Sequence, residues 1–218
     1  MNVLTIGYIT EGNTDKRFLG NIIRRTFEDA LFEADGQVEV FDPQHILIQS
    51  DSFVEEVIKS AKEAKWAHVL CIHTDADDSS EDSALNHKIT PAFKAVNEEL
   101  GAICKNLVPI VPVQMTEAWM LADKNILKEE IGTTRSDGDL QLPRLKSIEG
   151  ISDPKGTIIN AIRLAFENAP RKRRQPTISE LYTPLSQKID LHKLSDLPSY
   201  AKFKASAKAA LVKLNYIH

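Results

Sequence analysis

WAHVLCIHTDADD, residues 66–78, is the stretch that decides the fold. Its first seven residues form a nearly continuous apolar run, the pattern of a strand buried on both faces of a parallel sheet. The run breaks abruptly into His73-Thr74-Asp75-Ala76-Asp77-Asp78, and a polar loop continues to Ser83. A buried strand that ends in carboxylates predicts an α/β domain with polar chemistry at the carboxyl ends of its strands.

The chain on either side fits that frame. Residues 3–9 (VLTIGYI) predict a first strand, followed by a turn at Glu11-Gly12-Asn13. Asn13 or Thr14 can then cap a helix in which Phe18, Ile22, Ile23, Phe27 and Leu31 recur at helical spacing. Residues 45–49 (HILIQ) predict a strand, and Phe53, Val54, Val57, Ile58 and Ala61 mark a second helix. After the acidic loop comes a helix with Phe93, Val96 and Leu100. A strand over 107–113 follows, whose Pro109 and Pro112 favour an edge. Strand and helix alternate, the signature of a parallel sheet flanked by helices.

After Asp123 the pattern changes. A polar loop over 132–139 leads into an all-helical C-terminal extension. Asp153-Pro154 is a helix start, with a capping residue before a proline at the first helical position. Leu181, Leu185 and Ile189 predict a short helix, and Phe203, Ala207, Ala210, Leu211 and Leu214 a final one. The expected organisation is a metal-binding α/β domain over 1–130, with a helical region over 140–218 packed on it.

Composition narrows the class. Of 218 residues, 42% are hydrophobic and 27% charged, as in a globular chain with a real core. No apolar run approaches the roughly 20 residues that cross a bilayer, so no membrane partner is expected and the expected location is cytoplasmic. Cys71 and Cys104 form no CxxC pair and read as small core residues. From Arg171 onward, ten Lys and Arg stand against three Asp and Glu, while the preceding residues are strongly acidic. Such a chain can hold metal at one place and polyanion at another, or simply end in a Lys-rich amphipathic helix.

The carboxylates are the candidate chemistry. Glu11 lies just past the first strand, and Asp75 and Asp77 just past the third. In an extended segment the i, i+2 spacing aims both aspartates to one side, where they can share a hard cation such as Mg²⁺ or Mn²⁺. Other readings of DxD fit less well. A calcium EF-hand loop would need glycine where Ser80 stands and glutamate where Asn86 stands. A haloacid-dehalogenase-like phosphatase wants its DxD after the first strand.

Further candidates have two readings each. Glu117, behind Thr116, either favours a helix dipole or stands at the rim of the metal cleft as ligand or base. His73 is a hydrogen-bonded structural residue, or else a donor to phosphate or a general acid. Lys155 sits in a first helical turn, where a cation is disfavoured, and either contacts phosphate or extends into solvent. Arg171, Lys172, Arg173 and Arg174 suit the negative end of a helix or grip a nucleic-acid backbone. Trp119, Met120 and Leu121 read as core. With no GxxxxGK(S/T) motif, any ATP dependence must come from a partner.

The order Glu11-Gly12, then Asp75-Ala76-Asp77, resembles the Toprim superfamily, the metal-binding domain of primases, topoisomerases and overcoming-lysogenization-defect nucleases. Three further blocks resemble a bacterial Toprim-like family of domain-of-unknown-function type. These are Thr116 through Asp123 (TEAWMLAD), Asp153-Pro154-Lys155, and Asp190-Leu191 with LPSYAKF over 197–203. The resemblance covers most of the chain and implies a Toprim-like (Rossmann-like) sheet. With neither a zinc ribbon nor a strand-passage tyrosine domain, it points to nuclease rather than primase or topoisomerase activity. It also implies an anti-phage or similar prokaryotic defence role and an ABC-type ATPase partner. The expected function is thus a Mg²⁺- or Mn²⁺-dependent phosphodiesterase acting on DNA or RNA. Asp75 and Asp77 would hold the metal, with Glu11 as further ligand or general base. The alternative is a non-catalytic regulatory or adaptor subunit of the ATPase, in which the acidic site is structural.

Overall fold

The computed structural model describes residues 2–33, 37–168, 170 and 174–218. Among these, the strands are β1 (Asn2–Leu4), β2 (Ile6–Ile9), β3 (Val38–Val40), β4 (Gln44–His45), β5 (Val69–His73) and β6 (Leu107–Ile110). Four form a parallel sheet in the order β4-β2-β5-β6, and β1 pairs with β3, also in parallel.

The single first strand expected over 3–9 is two segments. At Thr5 the peptide N–H leaves the ladder for His68 Nδ1 (3.1 Å), and its carbonyl accepts from His68 N (2.9 Å). The strand expected over 45–49 is only the two residues of β4 at the sheet edge, and Leu47 beyond it is exposed. The apolar run at 66 becomes strand only at Val69, because Ala64–Trp66 closes a 3₁₀ turn that leaves Trp66 at the surface. Leu100 is likewise exposed rather than core. β6 does occupy an edge, as Pro109 within it favours, and it ends at Ile110, before Pro112.

Strand side chains alternate between two cores, as a period of two demands. Ile6, Tyr8, Val69, Cys71, Val108 and Ile110 face one; Ile9, Leu70, Ile72 and Leu107 face the other. The first crossover helix, α1 (Asp15–Ala30), buries Phe18, Leu19, Ile22, Ile23 and Phe27 on the first face. The later crossovers lie on the second face. They use α2 (Phe53–Glu63), then α3 (Asp82–Ala84), which runs through a π-helical turn (Leu85–Ile89) into α4 (Thr90–Glu98). This division follows from the strand order. The chain steps outward from β2 to β4, then returns past β2 to β5 and β6, so right-handed crossovers must swap faces.

That arrangement leaves the first face bare beneath β5 and β6, and the C-terminal helices cover it. They are α5 (Glu117–Met120), α6 (Lys124–Ile131), α7 (Pro154–Phe166), α8 (Ile178–Lys188), α9 (Leu191–Ser195) and α10 (Pro198–Lys213). Tyr182, Leu185, Tyr200, Phe203, Ala207 and Leu211 join the same cluster as α1. Trp119 is fully buried there, edge-on to Tyr200 with centroids 5.2 Å apart, and its indole N–H donates to Ser199 Oγ (2.8 Å). The Arg25 guanidinium donates to the carbonyls of Ser186 (2.8 Å) and Ile189 (2.7 Å), satisfying the end of α8 from α1. The helical extension therefore completes the core of the α/β unit. Among the described residues, no helix is long and apolar enough to cross a membrane.

Candidate metal centre

β2 and β5 are neighbours whose onward connections leave in opposite directions across the sheet. Such a switch point opens a crevice at the carboxyl ends of the strands. Three loops meet there: residues 10–14 after β2, 74–81 after β5 and 111–116 after β6.

The first loop brings two carboxylates. Glu11 is exposed; its Oε2 accepts from Thr74 Oγ1 (2.7 Å) and from the Asp75 peptide N–H (3.2 Å). The same oxygen lies 3.6 Å from Lys88 Nζ, on the π-helical turn. Asp15 opens α1 and is buried, with Oδ2 accepting from the Gly12 N–H (3.0 Å). A Cβ at Gly12 would collide with that carboxylate, so glycine is what lets the loop close on it. Burial pushes the Asp15 carboxyl above its ordinary range. Asp75 and Glu117 push the same way, while His73 and a hydrogen bond with Thr116 oppose them.

The second loop brings His73, buried at the end of β5, and Asp75, partly buried beyond it. Asp75 Oδ1 is 3.2 Å from His73 Nε2 and accepts from the Thr116 N–H (3.1 Å). Asp15, His73 and Asp75 thus each offer a ligand atom, all within 4.8 Å of one another, a group that could hold a metal ion.

This is not the trio expected. Asp75 belongs to the group and Glu11 flanks it through Asp75's own N–H, whereas Asp77 lies outside. Asp77 is exposed and has left-handed backbone, φ 53°. The expectation that Asp75 and Asp77 share a side assumed extended chain, and a left-handed residue breaks that alternation. Its N–H donates to the Gln114 carbonyl (3.1 Å), tying the second loop to the third. Asp15 had a legible signal: an acidic residue four positions after Glu11, in the first turn of an amphipathic helix.

Glu117 is buried at the start of α5 and receives the Tyr182 hydroxyl. Burial first, and Glu117 second, push the Tyr182 phenol above its ordinary range, so it stays a donor. Lys155 Nζ lies 3.5 Å from Glu117 Oε1. That ion pair accounts for a lysine in the first turn of α7, where the helix dipole opposes it. Arg174 is exposed and pairs with Glu180 (2.6 Å). Arg171, Lys172 and Arg173 lie outside the described residues. A polar cleft of about 590 Å³ opens beside Glu11, lined by Thr10, Asn13, His45, Ser50 and Glu55 among others. It meets the candidate centre through Glu11 and Gly12, and Asp15, His73 and Asp75 do not line it.

Comparison of the chain with protein families, curated proteins and solved structures gives no match.

Proposed function

We propose that this protein is a Mg²⁺- or Mn²⁺-dependent phosphodiesterase that cleaves nucleic acid, built on a Toprim-like variant of the doubly wound sheet. We further propose that it serves prokaryotic defence beside an ABC-type ATPase. The observation that carries the enzymatic reading is the convergence of Asp15, His73 and Asp75 at the switch point, with Glu11 and Glu117 close by.

The donor set fits a divalent cation. Asp15, Asp75 and Glu117 crowd negative charge into a partly desolvated crevice, and the raised Asp15 carboxyl is the expected cost. When bound, such a cation polarises a phosphate and lowers the pKa of an attacking water. The chain's own residues supply the rest. Thr116 N–H holds Asp75, and Thr74 with the Asp75 N–H holds Glu11, so the carboxylates enter the site already oriented. Lys88 and Lys155, each beside a site carboxylate, offer positive charge to a phosphodiester. Glu117 is a further ligand or a base, and Asp77 stands on the exposed rim of the loop. Arg171 to Arg174 are the proposed contact to the nucleic-acid backbone.

Labelled single-stranded DNA, double-stranded DNA and tRNA, incubated with the protein in Mg²⁺ or Mn²⁺, test this directly. Cleavage that requires the cation and is lost in Asp75→Asn is the expected result. Intact substrates under every condition, or equal cleavage by the variant, would overturn the proposal.

A further inference from the structure

His73 counts by distance as a third ligand, but the hydrogen bonds around its ring assign it another part. The Glu11 peptide N–H is directed at His73 Nδ1, with the nitrogens 3.4 Å apart. A peptide N–H only donates, so Nδ1 presents a lone pair there. In the neutral imidazole the hydrogen then sits on Nε2. That nitrogen faces two acceptors, Asp75 Oδ1 at 3.2 Å and Thr116 Oγ1 at 3.1 Å.

A cation on Nε2 would need the lone pair of that nitrogen, which moves the hydrogen to Nδ1. The ring N–H and the Glu11 N–H would then point at each other across a partly buried contact, and the N–H of the buried ring would be left without an acceptor. Nδ1 is already taken by Glu11. The ring therefore has no nitrogen to spare.

We infer that His73 is a positioning residue. Its Nε2–H, with the Thr116 N–H, fixes Asp75 through Oδ1, and the cation is left to carboxylate oxygens of Asp15, Asp75 and Glu11. One side chain thereby ties the ends of β2 and β5 to the start of α5. The inference rests on the metal-dependent reading above and makes it narrower: the site takes a hard, oxygen-bound cation of the Mg²⁺ or Mn²⁺ class rather than one anchored on imidazole.

Two measurements on the unaltered protein test it. Long-range ¹H–¹⁵N NMR of the metal-free chain, at a pH where the ring is neutral, should find His73 protonated on Nε2 and bare on Nδ1. A hydrogen on Nδ1 overturns the inference. Pulsed electron paramagnetic resonance of the Mn²⁺-loaded chain should show no directly coordinated ¹⁴N from His73. A nitrogen coupling that disappears in His73→Gln also overturns it. Two variants add a graded readout of Mn²⁺ affinity. His73→Ala, which removes the donor to Asp75, should weaken binding about 10–100-fold, the usual effect of losing such an outer contact. His73→Gln can still donate to Asp75 Oδ1 and should lose less than about tenfold. A loss as large as that of the alanine variant counts against the positioning role. Absence of Mn²⁺ binding altogether would defeat the metal-dependent reading and the ligand assignment, while the tautomer would still be decided in the metal-free protein.

Discussion

Asp15→Asn separates a metal centre from an accidental cluster. The substitution keeps side-chain volume, and the Asn carbonyl oxygen can still accept from the Gly12 N–H that Asp15 Oδ2 now binds at 3.0 Å. Only a charge is lost. Metal-free Asp15 is disfavoured as an anion by burial and by Asp75 and Glu117, so the neutral amide should leave the metal-free protein equally stable or more stable. In the unaltered protein, cation at about a hundred times its Kd should add about 2.7 kcal/mol. For a chain of 218 residues, each kcal/mol moves Tm by roughly 2–4 °C, so the metal-induced rise is about 5–11 °C. If Asp15 is a ligand, its loss weakens the cation at least tenfold, or about 1.4 kcal/mol, and the rise shrinks by about 3–6 °C. Thermal unfolding with and without Mn²⁺ measures all four values. A metal-induced rise in Asp15→Asn equal to that of the unaltered chain would refute the assignment. A metal-free Tm several degrees lower would refute the claim that the carboxylate is held against its preference.

Three other perturbations probe the surroundings. Glu117→Gln retains an acceptor for the Tyr182 hydroxyl and frees only a half-exposed Lys155, so stability should change by no more than about 1 kcal/mol. Its cleavage rate should nonetheless fall about a hundredfold if the charge serves as ligand or base, and an unchanged rate would leave Glu117 a structural acid. Asp123→Ala should cost about 1–3 kcal/mol in urea denaturation. Asp123 caps α6 through Asn125 and Ile126, accepts from Asp190 N, and pairs with Lys193 Nζ (2.6 Å). A loss well under about 0.5 kcal/mol would show that water replaces these bonds. His45, between the Tyr8 ring and Thr10 Oγ1, is held below the usual histidine range by burial and then by Lys16. Its folded form resists protonation, so stability should be level above the unfolded value of about 6.5 and decline as pH falls from there through the folded value. His45→Gln should flatten that part of the profile, and an unaltered slope would place the acid sensitivity elsewhere.

Much of the architecture can be read along the chain because its causes are local. Alternating burial, the nearly continuous apolar run before His73, and helical recurrence in α1 and α10 are all local patterns, which neighbouring positions suffice to reveal. Proline at 109 cannot donate to a ladder, so it points to an edge whatever the strand order. The Trp119 block and the 203–214 stripe are legible as core for the same reason of local pattern. Asp75 is legible because a carboxylate directly after a doubly buried strand must emerge at the carboxyl edge of the sheet, where polar groups converge.

What spacing could not reveal is which distant groups meet. Asp15 joins His73 and Asp75 only because α1 and β5 flank the same switch point, and Lys155 finds Glu117 only because α7 packs beside α5. The left-handed turn at Asp77 depends on its pairing with Gln114, a contact that no local pattern encodes. The helical C-terminal part looks like an appendage in sequence because its hydrophobic faces carry no record of their partner. The sheet supplies one, since right-handed crossovers on opposite faces leave β5 and β6 uncovered on the side of α1. Backbone periodicity is a property of neighbours in sequence, whereas a site is a property of neighbours in space, and the strand order alone converts one into the other.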